Sequence, residues 1–294
     1  MKSIRIIQMK IIYTISDLQT ELSVLRTKGN KIGLVPTMGA LHAGHASLVE
    51  QSIKDNDITV VSIFVNPTQF NDPTDLDKYP RTLEADYELL EEIGTSIIFV
   101  PSVAEMYPEQ DTRIFSFYPL DTVMEGKYRP GHFNGVAQIV SKLFDAVEPD
   151  KAYFGEKDFQ QLAIIREMVK QLNYKVQIIG CPIVREVDGL ALSSRNARLS
   201  EKERKIALKI SQTLFKSTNF ATSHSVKETC EFVEKQIAEE TGLALEYFEI
   251  VNADTLQKIN NWNNVSSAVG CITVFCGEVR LIDNIRYSNF NPKK

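Results

Sequence analysis

An almost unbroken apolar run at residues 58–65, in which only Thr59 and Ser62 are polar, most narrowly limits what this chain can fold into. A strand that is apolar on both faces has to be covered on both sides, which is typical of the inner strands of a parallel sheet. Four further short apolar runs predict strands at residues 32–36, 97–100, 152–154 and 176–184.

Amphipathic stretches separate these predicted strands. In the last stretch, Phe159, Leu162, Ile165, Val169 and Leu172 recur at spacings of three and four, which forms one apolar stripe along a helix. Similar patterns predict helices near residues 17–28, 45–55, 82–93, 135–147 and 158–173. Strands that alternate with helices predict an α/β fold with a Rossmann-like, doubly wound parallel sheet, whose ligands bind at the carboxyl ends of the strands.

The pattern changes after about residue 184. Charged helical stretches near 200–218 and 225–240 are followed by three strand-like runs, at residues 244–251, 268–275 and 279–285. The last two runs flank Cys276, Gly277 and Glu278, a short polar link that predicts a hairpin. We therefore predict a large first domain over residues 1–184 and a smaller α+β domain, acting as a lid, over residues 185–294.

Composition argues against two classes of partner. The 294 residues carry a formal net charge of −5, whereas a nucleic-acid surface needs a concentrated basic face. No apolar run approaches the roughly 18 residues that a membrane-spanning helix needs. We expect neither nucleic acid nor membrane as a partner.

The cysteines and the first residues bear on the compartment. Cys181, Cys230, Cys271 and Cys276 form no Cys-x-x-Cys pair, and no histidine lies near the last two, which favours reduced thiols over a zinc site. Reduced thiols and the absence of a recognisable secretion signal predict a cytoplasmic protein. Met9 reads as a second natural start, so residues 1–8 are either a dispensable extension or a short ordered arm.

The strongest chemical signal is the loop from Pro36 to His45, which follows the first core strand and precedes a helical stretch. It contains Gly44 and two of the chain's four histidines, His42 and His45, which are three residues apart and so share one face of a helical turn. A helix N-terminus suits phosphate, and two imidazoles there can donate hydrogen bonds to a transferring phosphoryl group. The alternative is a pair of ordinary loop or core histidines.

Three further segments carry polar groups. Gln69 follows the strand at residues 58–65 and offers uncharged hydrogen bonds, which suit a hydroxy-acid. Lys157 and Asp158 stand before the helix that contains Gln161, where a lysine is a common phosphate partner and an aspartate a plausible N-cap. Residues 188–196 place two serines and an arginine in a row, which can grip a triphosphate. A polar turn, a capping segment and a serine-rich linker are the respective alternatives.

Taken together, these segments closely resemble the pantothenate synthetase family, within the wider nucleotidyltransferase group that carries a His-x-Gly-His loop. The resemblance covers the chain from Met9 and includes blocks at residues 62–70, 79–82, 128–133, 154–161 and 184–196. It implies an ATP-dependent, AMP-forming ligase that joins pantoate to β-alanine through a pantoyl-adenylate, with Mg²⁺ as cofactor. It also implies a homodimer formed through the first domain.

The resemblance implies the site residues as well. The catalytic, charge-neutralising residues would be His42, His45, Lys157 and Arg195. ATP would contact Pro36, Met38, Gly39, His42, His45, Gly155, Lys157, Asp158, Val184, Leu192, Ser193, Ser194 and Arg195. Pantoate would contact Gln69, Gln161, Asn66 and Met38, and Asp86 would be associated with Mg²⁺. Leu192 departs from the family, in which a methionine is usual.

Two other functions fit this sequence less well. A simple nucleotidyltransferase with a phosphate-bearing acceptor would want cations, where this chain has Gln69 and Gln161. A nucleotide-binding module without activity would have lost His42, His45 or Lys157, and all three are present.

Overall fold

The computed structural model describes residues 9–71 and 73–287. The proposed extension at residues 1–8 lies outside the described residues. Six parallel strands form the larger sheet, in the spatial order β1-β4-β3-β2-β5-β6. The strands are β1 (Lys10–Ile12), β2 (Ile32–Thr37), β3 (Ile58–Ile63), β4 (Ile97–Phe99), β5 (Lys151–Gly155) and β6 (Gln177–Cys181). All six residues of β3 are buried, as its apolar run predicts.

Within the described residues, eight α-helices connect or follow these strands. They are α1 (Ile15–Thr27), α2 (Ala43–Asp55), α3 (Pro73–Asp77), α4 (Leu83–Ile93), α5 (Val103–Met106), α6 (Met124–Tyr128), α7 (His132–Val147) and α8 (Phe159–Gln171). Local sequence sets their ends: the Thr14 hydroxyl accepts the N–H of Asp17 at the start of α1, and Gly94, with φ of 91°, ends α4 in the left-handed conformation.

Near the end of the described chain, three strands form an antiparallel sheet in the order β7-β8-β9, made of β7 (Leu243–Asn252), β8 (Ala268–Cys276) and β9 (Val279–Tyr287). Two helices precede it, α9 (Glu201–Phe220) and α10 (Val226–Ala238), and each begins with a capping box, Ser200 with Glu203 and Ser225 with Glu228. The predicted fold class, a doubly wound parallel sheet with a smaller α+β part, is confirmed.

The chain divides into two compact units. The first contains residues up to Ser116, Pro130–Glu156 and Ile164–Pro182, and the second contains Phe117–Arg129, Lys157–Ala163 and the chain from Ile183 onward. The predicted single boundary between residues 184 and 185 differs from this division. Two short segments from before residue 184 are grouped with the second unit, because they pack with the antiparallel sheet: Met124 and Phe159 share an apolar cluster with Tyr247 and Val269.

No helix within the described ranges is both long enough and apolar enough to cross a membrane. All four cysteines, which lie within these ranges, are free thiols.

Close packing between β2 and α2 depends on Gly33. A Cβ atom on Gly33 would lie 2.2 Å from Ser52 Oγ and 2.4 Å from Asn56 Nδ2. Both partners are buried and already engaged, since Ser52 Oγ is 2.9 Å from Thr59 Oγ1 and Asn56 Nδ2 donates to Tyr153 Oη at 2.8 Å. Neither side chain can therefore move aside without breaking a buried hydrogen bond.

We expect Gly33→Ala to lower the free energy of unfolding by about 3 kcal/mol or more, since overpacking and a lost buried hydrogen bond add. Gly29→Ala is the comparison, because a Cβ there meets nothing within 4 Å although φ is 79°. That variant should lose only about 1 kcal/mol, from backbone strain alone. Urea unfolding measures the loss of stability in both variants. Equal losses in the two variants would show that the contact of Gly33 with α2 has no special importance.

Candidate active site

The histidine loop joins the carboxyl end of β2 to α2 through two successive left-handed residues, Gly39 with φ of 78° and Ala40 with φ of 49°. Helix α2 then begins with His42 as its N-cap residue. The ring nitrogen Nδ1 of His42 accepts the N–H of Gly44 at 3.1 Å, and Nδ1 of His45 accepts the N–H of His42 at 3.4 Å. The two ring centroids are 4.1 Å apart.

This capping determines which ring nitrogen of each imidazole carries the proton. A neutral imidazole that accepts a hydrogen bond at Nδ1 carries its proton on Nε2. His42 and His45 therefore each have an N–H donor at Nε2, beside the positive end of the α2 dipole. A pair of donors at a helix N-terminus is suited to stabilise negative charge on a phosphoryl group.

Asp86, on α4, holds the loop in this shape. Its carboxylate is only 2% exposed. Oδ2 accepts the N–H of Ala40 at 2.9 Å, and Oδ1 accepts the N–H of Leu41 at 2.8 Å and the hydroxyl of Thr82 at 3.1 Å. The carboxylate thus satisfies the backbone donors of the turn that leads to the histidines.

The Mg²⁺ role predicted for Asp86 does not fit these contacts. Both oxygens of the carboxylate are occupied by donors of the protein itself, and the side chain is buried. In the part of the chain that the structure describes, no group of three histidine, cysteine, aspartate or glutamate residues could hold a metal ion. Asp86 is a loop anchor in this structure, and we assign no reaction step to a metal bound there.

The residues predicted to hold pantoate in the first unit do come together. Gln69 lies in a 3-10 turn, Pro67–Gln69, which follows β3. Its amide nitrogen Nε2 is 3.3 Å from Met38 Sδ, and its amide oxygen Oε1 accepts from Asn66 Nδ2 at 3.1 Å. Gln69 and Met38 therefore meet at the carboxyl ends of β3 and β2.

Asn66 has a different part from the one predicted. It is 1% exposed, and Nδ2 donates to Gln69 Oε1 and to Gly135 O, both at 3.1 Å. Its Oδ1 accepts from Tyr107 Oη at 2.8 Å and from Thr68 Oγ1 at 3.2 Å. Both of its donors are used within the protein, so its contacts fit a residue that orients the Gln69 amide rather than one that binds pantoate.

Sequence reasoning assigned no role to three residues that complete this arrangement. His132 Nδ1 is 2.8 Å from the carbonyl oxygen of Gln69. Tyr107, whose phenol pKa is raised by burial, donates to Asn66. At Gly135 a Cβ atom would lie 2.4 Å from the carbonyl oxygen of Thr68, so only glycine allows α7 to approach the turn this closely. In the sequence, the block at residues 128–133 that matches the family contains His132, but nothing there shows these three contacts.

In the second unit, Lys157 and Asp158 lie in the 3-10 turn Glu156–Asp158, which joins β5 to α8. The Lys157 ammonium is 3.6 Å from the Asp158 carboxylate. Gln161 lies in the first turn of α8, and its neighbour Gln160, 4% exposed, ties this turn to residues 117–129. Gln160 Nε2 donates to the carbonyl oxygens of Leu120 and Val123 at 2.7 and 2.9 Å.

Residues 184–196 form a narrow two-stranded link and a turn. The N–H of Leu192 donates to Val184 O at 3.1 Å, beside a bridge between Arg185 and Ala191. The Ser193 hydroxyl then accepts the N–H of Arg195 at 3.3 Å and caps the 3-10 turn Ser194–Arg198. The local geometry thus presents Ser193, Ser194 and Arg195 on one tight turn rather than on a linker.

The predicted residues fall into two sets. Those in the first unit are Pro36, Met38, Gly39, His42, His45, Asn66, Gln69, Asp86 and Gly155. Those in the second unit are Lys157, Asp158, Gln161, Val184, Leu192, Ser193, Ser194 and Arg195.

The structure is that of an α/β protein in which a loop from the parallel sheet leads into a helix whose start is capped by His42 and His45. The model of one family, described as pantoate-beta-alanine ligase, matches residues 10–286. Among similar proteins, the pantothenate synthetase of Bacteroides fragilis is 71% identical over 95% of this chain and 99% of its own length. That of Porphyromonas gingivalis is 56% identical over 96% of this chain and all of its own.

Solved structures of the same family are also similar to this chain. The pantothenate synthetase of Thermus thermophilus has a TM-score of 0.88 at 42% identity, over 94% of this chain and 98% of that one. The pantoate-beta-alanine ligase of Francisella tularensis has a TM-score of 0.81 at 36% identity, over 96% and 99%. The chain belongs to the pantoate–β-alanine ligase family. The predictions of family, of an enzyme, and of the ligase reaction between pantoate and β-alanine are confirmed.

Asp86→Asn tests the anchor. The variant turns an amide N–H₂ toward a backbone N–H, so we expect the free energy of unfolding to fall by about 1–3 kcal/mol. We expect kcat to fall about 10- to 100-fold, since a misplaced loop costs that much. The Mg²⁺ concentration that gives half-maximal activity should stay the same. A large rise in that concentration would show that Asp86 binds the metal after all.

Asn66→Asp tests the orientation of Gln69. The carboxylate keeps the shape of the side chain but cannot donate to Gln69 Oε1 or Gly135 O. We expect KM for pantoate to rise about tenfold, because the Gln69 amide loses its fixed orientation, while KM for ATP changes little. Initial-rate kinetics with each substrate varied in turn measure this. Thr27→Ala, which changes one exposed hydroxyl that donates to Val24 O, is the control. A rise in KM for ATP alone would contradict the assignment.

Proposed function

We propose that this chain condenses pantoate with β-alanine in two steps, using ATP to activate the carboxylate. The observation that carries the proposal is the pair of histidines that cap α2 and whose loop is anchored by Asp86. In support, the Francisella tularensis ligase is described as complexed with beta-gamma ATP and beta-alanine.

In the first step, a carboxylate oxygen of pantoate attacks the α-phosphorus of ATP. A new O–P bond forms, the bond to the β-phosphate oxygen breaks, and pyrophosphate leaves with the electron pair. Catalysis of such a transfer is mostly positioning and charge stabilisation. The Nε2–H donors of His42 and His45, the Lys157 ammonium and the Arg195 guanidinium are the groups that we assign to the phosphates.

The remaining nucleotide contacts come from the same segments. The loop backbone at Met38 and the hydroxyls of Ser193 and Ser194 supply uncharged groups that bind ATP. Gly39, whose own N–H donates to Thr37 Oγ1 at 3.2 Å, contributes a close approach of the backbone instead. Gly155 ends β5 at the same edge of the sheet as the histidine loop. Pro36, Asp158, Val184 and Leu192 complete the proposed ATP contacts.

Uncharged groups hold pantoate in this proposal. Gln69 and Gln161 offer amide donors and acceptors, and Met38 offers an apolar, adaptable surface. A hydroxy-acid with a branched apolar body needs this combination, whereas a phosphate-bearing acceptor would need cations. The fixed orientation of Gln69 by Asn66 supports selection for a particular hydroxyl or carboxylate position.

In the second step, the amine of β-alanine attacks the acyl carbon of the pantoyl-adenylate. The amide C–N bond forms, the C–O bond to the phosphate breaks, AMP leaves with the electron pair, and the attacking nitrogen releases one proton to water. We propose that Mg²⁺ accompanies ATP as its phosphate complex, since this ion is usually held largely by substrate phosphates and water. We also propose a cytoplasmic homodimer that associates through the first unit, which analytical ultracentrifugation would test.

Pyrophosphate exchange tests the reaction sequence. Labelled pyrophosphate should enter ATP when pantoate and Mg²⁺ are present, even without β-alanine, and this exchange should vanish without pantoate. Pantoate labelled with heavy oxygen in its carboxylate should leave one labelled oxygen in AMP, because that oxygen attacks phosphorus. Release of ADP, or exchange that strictly requires β-alanine, would refute the adenylate.

Alanine variants test the phosphate contacts. His45→Ala and Lys157→Ala should each lower turnover at saturating ATP by about 100- to 1000-fold, the usual cost of losing one such donor. Gln161→Ala should raise KM for pantoate and leave ATP binding unchanged by calorimetry. Near-normal turnover of Lys157→Ala would remove that residue from the site.

A further inference from the structure

Two adjacent polar residues of β9, Asp283 and Asn284, are both buried, each 5% exposed. Strand β9 lies at the edge of its sheet. The backbone pairing that forms the sheet does not require polar side chains at these two positions. Burying such groups costs free energy unless each finds hydrogen-bond partners. Their partners lie in two segments far apart in the sequence, and both segments carry residues assigned to the ATP phosphates.

Asn284 reaches the first segment. Its amide Nδ2 donates to the carbonyl oxygen of Lys157 at 3.0 Å. That carbonyl belongs to the 3-10 turn Glu156–Asp158, so the contact fixes the backbone from which the Lys157 side chain extends. The N–H of Asn284 donates to Asp283 Oδ1 at 2.7 Å, which joins the two strand residues to each other.

Asp283 reaches the second segment. Its carboxylate accepts two hydrogen bonds from the Arg185 guanidinium, at 2.7 and 2.9 Å. Burial raises the pKa of the Asp283 carboxyl, and the Arg185 pair opposes that rise. Arg185 also donates to Gly189 O at 3.2 Å, and its guanidinium carbon lies 4.9 Å from the centre of the Phe215 ring. The link that leads to Ser193–Arg195 is thereby fixed to β9.

We propose that Asp283 and Asn284 are positioning residues, which hold the Lys157 turn and the Ser193–Arg195 turn to one strand so that the two cationic groups keep a fixed spacing. This inference rests on the proposed roles of Lys157 and Arg195. Neither strand residue touches the substrate in this scheme: Asn284 acts through Lys157, and Asp283 acts through Arg185 and the turn that follows it.

The test is a double-mutant cycle on the pyrophosphate exchange rate. Asn284→Ala should slow exchange by about tenfold in the wild-type background, which is the effect expected from the loss of one buried hydrogen bond. In the Lys157→Ala background, which keeps the carbonyl but lacks the ammonium, the same change should slow exchange less than about twofold, since residues that act through one another are not additive. KM for pantoate should be unchanged in Asn284→Ala.

Asn252→Ala is the matched control. Asn252 lies in the same sheet, and its side chain also bonds backbone groups, accepting the N–H groups of Asp254 and Thr255 at 2.8 and 3.1 Å. Its effect on exchange should be small and equal in both backgrounds. If Asn284→Ala does not fold, as judged by thermal unfolding, Asn284→Ser replaces it. A second cycle pairs Asp283→Asn with Arg195→Ala and should show the same loss of additivity.

The outcomes separate the inference from the proposed function. Equal slowing by Asn284→Ala in both backgrounds would make its role purely structural and overturn the inference. Near-normal exchange in the Lys157→Ala single variant would instead overturn the proposed role of Lys157. Strong coupling in both cycles, with no coupling for Asn252→Ala, is the result that we expect.

Discussion

The contact between the Asp86 carboxylate and the loop after β2 is the interaction on which the histidine end of the sheet depends. The loop turns through two left-handed residues, Gly39 and Ala40, and such a turn leaves backbone N–H groups that no sheet or helix can satisfy. A buried carboxylate has the opposite need, since it requires donors. The N–H groups of Ala40 and Leu41 donate to the Asp86 carboxylate, so the turn and the carboxylate satisfy each other. This contact fixes the backbone that leads into α2, where His42 and His45 lie.

A second buried carboxylate, Glu125, organises the second unit. It accepts from Tyr247 Oη at 2.8 Å, from Thr273 Oγ1 at 3.0 Å and from both terminal nitrogens of Arg280 at 2.7 Å. Burial alone would raise the pKa of Glu125, but the Arg280 ion pair, together with the Arg129 charge and the Tyr247 hydrogen bond, outweighs burial and brings the pKa to about 2. The N–H of Glu125 donates to Gln160 Oε1 at 2.9 Å. Because removing one partner of such a pair leaves a buried charge, residues 117–129 and the start of α8 stay with the antiparallel sheet.

Sequence reasoning recovered most of the regular structure, because periodicity is a local signal. The predicted strand at residues 58–65 and the predicted helix at 82–93 match β3 and α4 to within two residues. Strand β1 was missed, since its three residues, Lys10–Ile12, are too few to show a periodic pattern. The short helices α3, α5 and α6, of four or five residues, are likewise too short to show a period.

Contacts between distant residues could not be predicted in the same way. The sequence shows a carboxylate at Asp86 but not the backbone donors that it faces, so the family resemblance alone implied a metal role, which these contacts do not fit. The same holds for Asn66: the resemblance implied a pantoate contact, while its four hydrogen bonds stay within the protein. Asp283 and Asn284 carried no signal at all, because nothing in a strand pattern shows which loop a buried polar residue holds.

The capping geometry also explains why the loop uses histidines where it could use lysines to attract phosphate. An N-cap side chain has to accept a backbone N–H, and a lysine ammonium has no acceptor. An imidazole has an acceptor at Nδ1 and, in the same neutral ring, a donor at Nε2. His42 and His45 can therefore satisfy the N–H groups of Gly44 and His42 and still carry a donor for an anionic ligand. One residue type performs both tasks, so the position that builds the helix start is also the position that we propose stabilises the transferring phosphate.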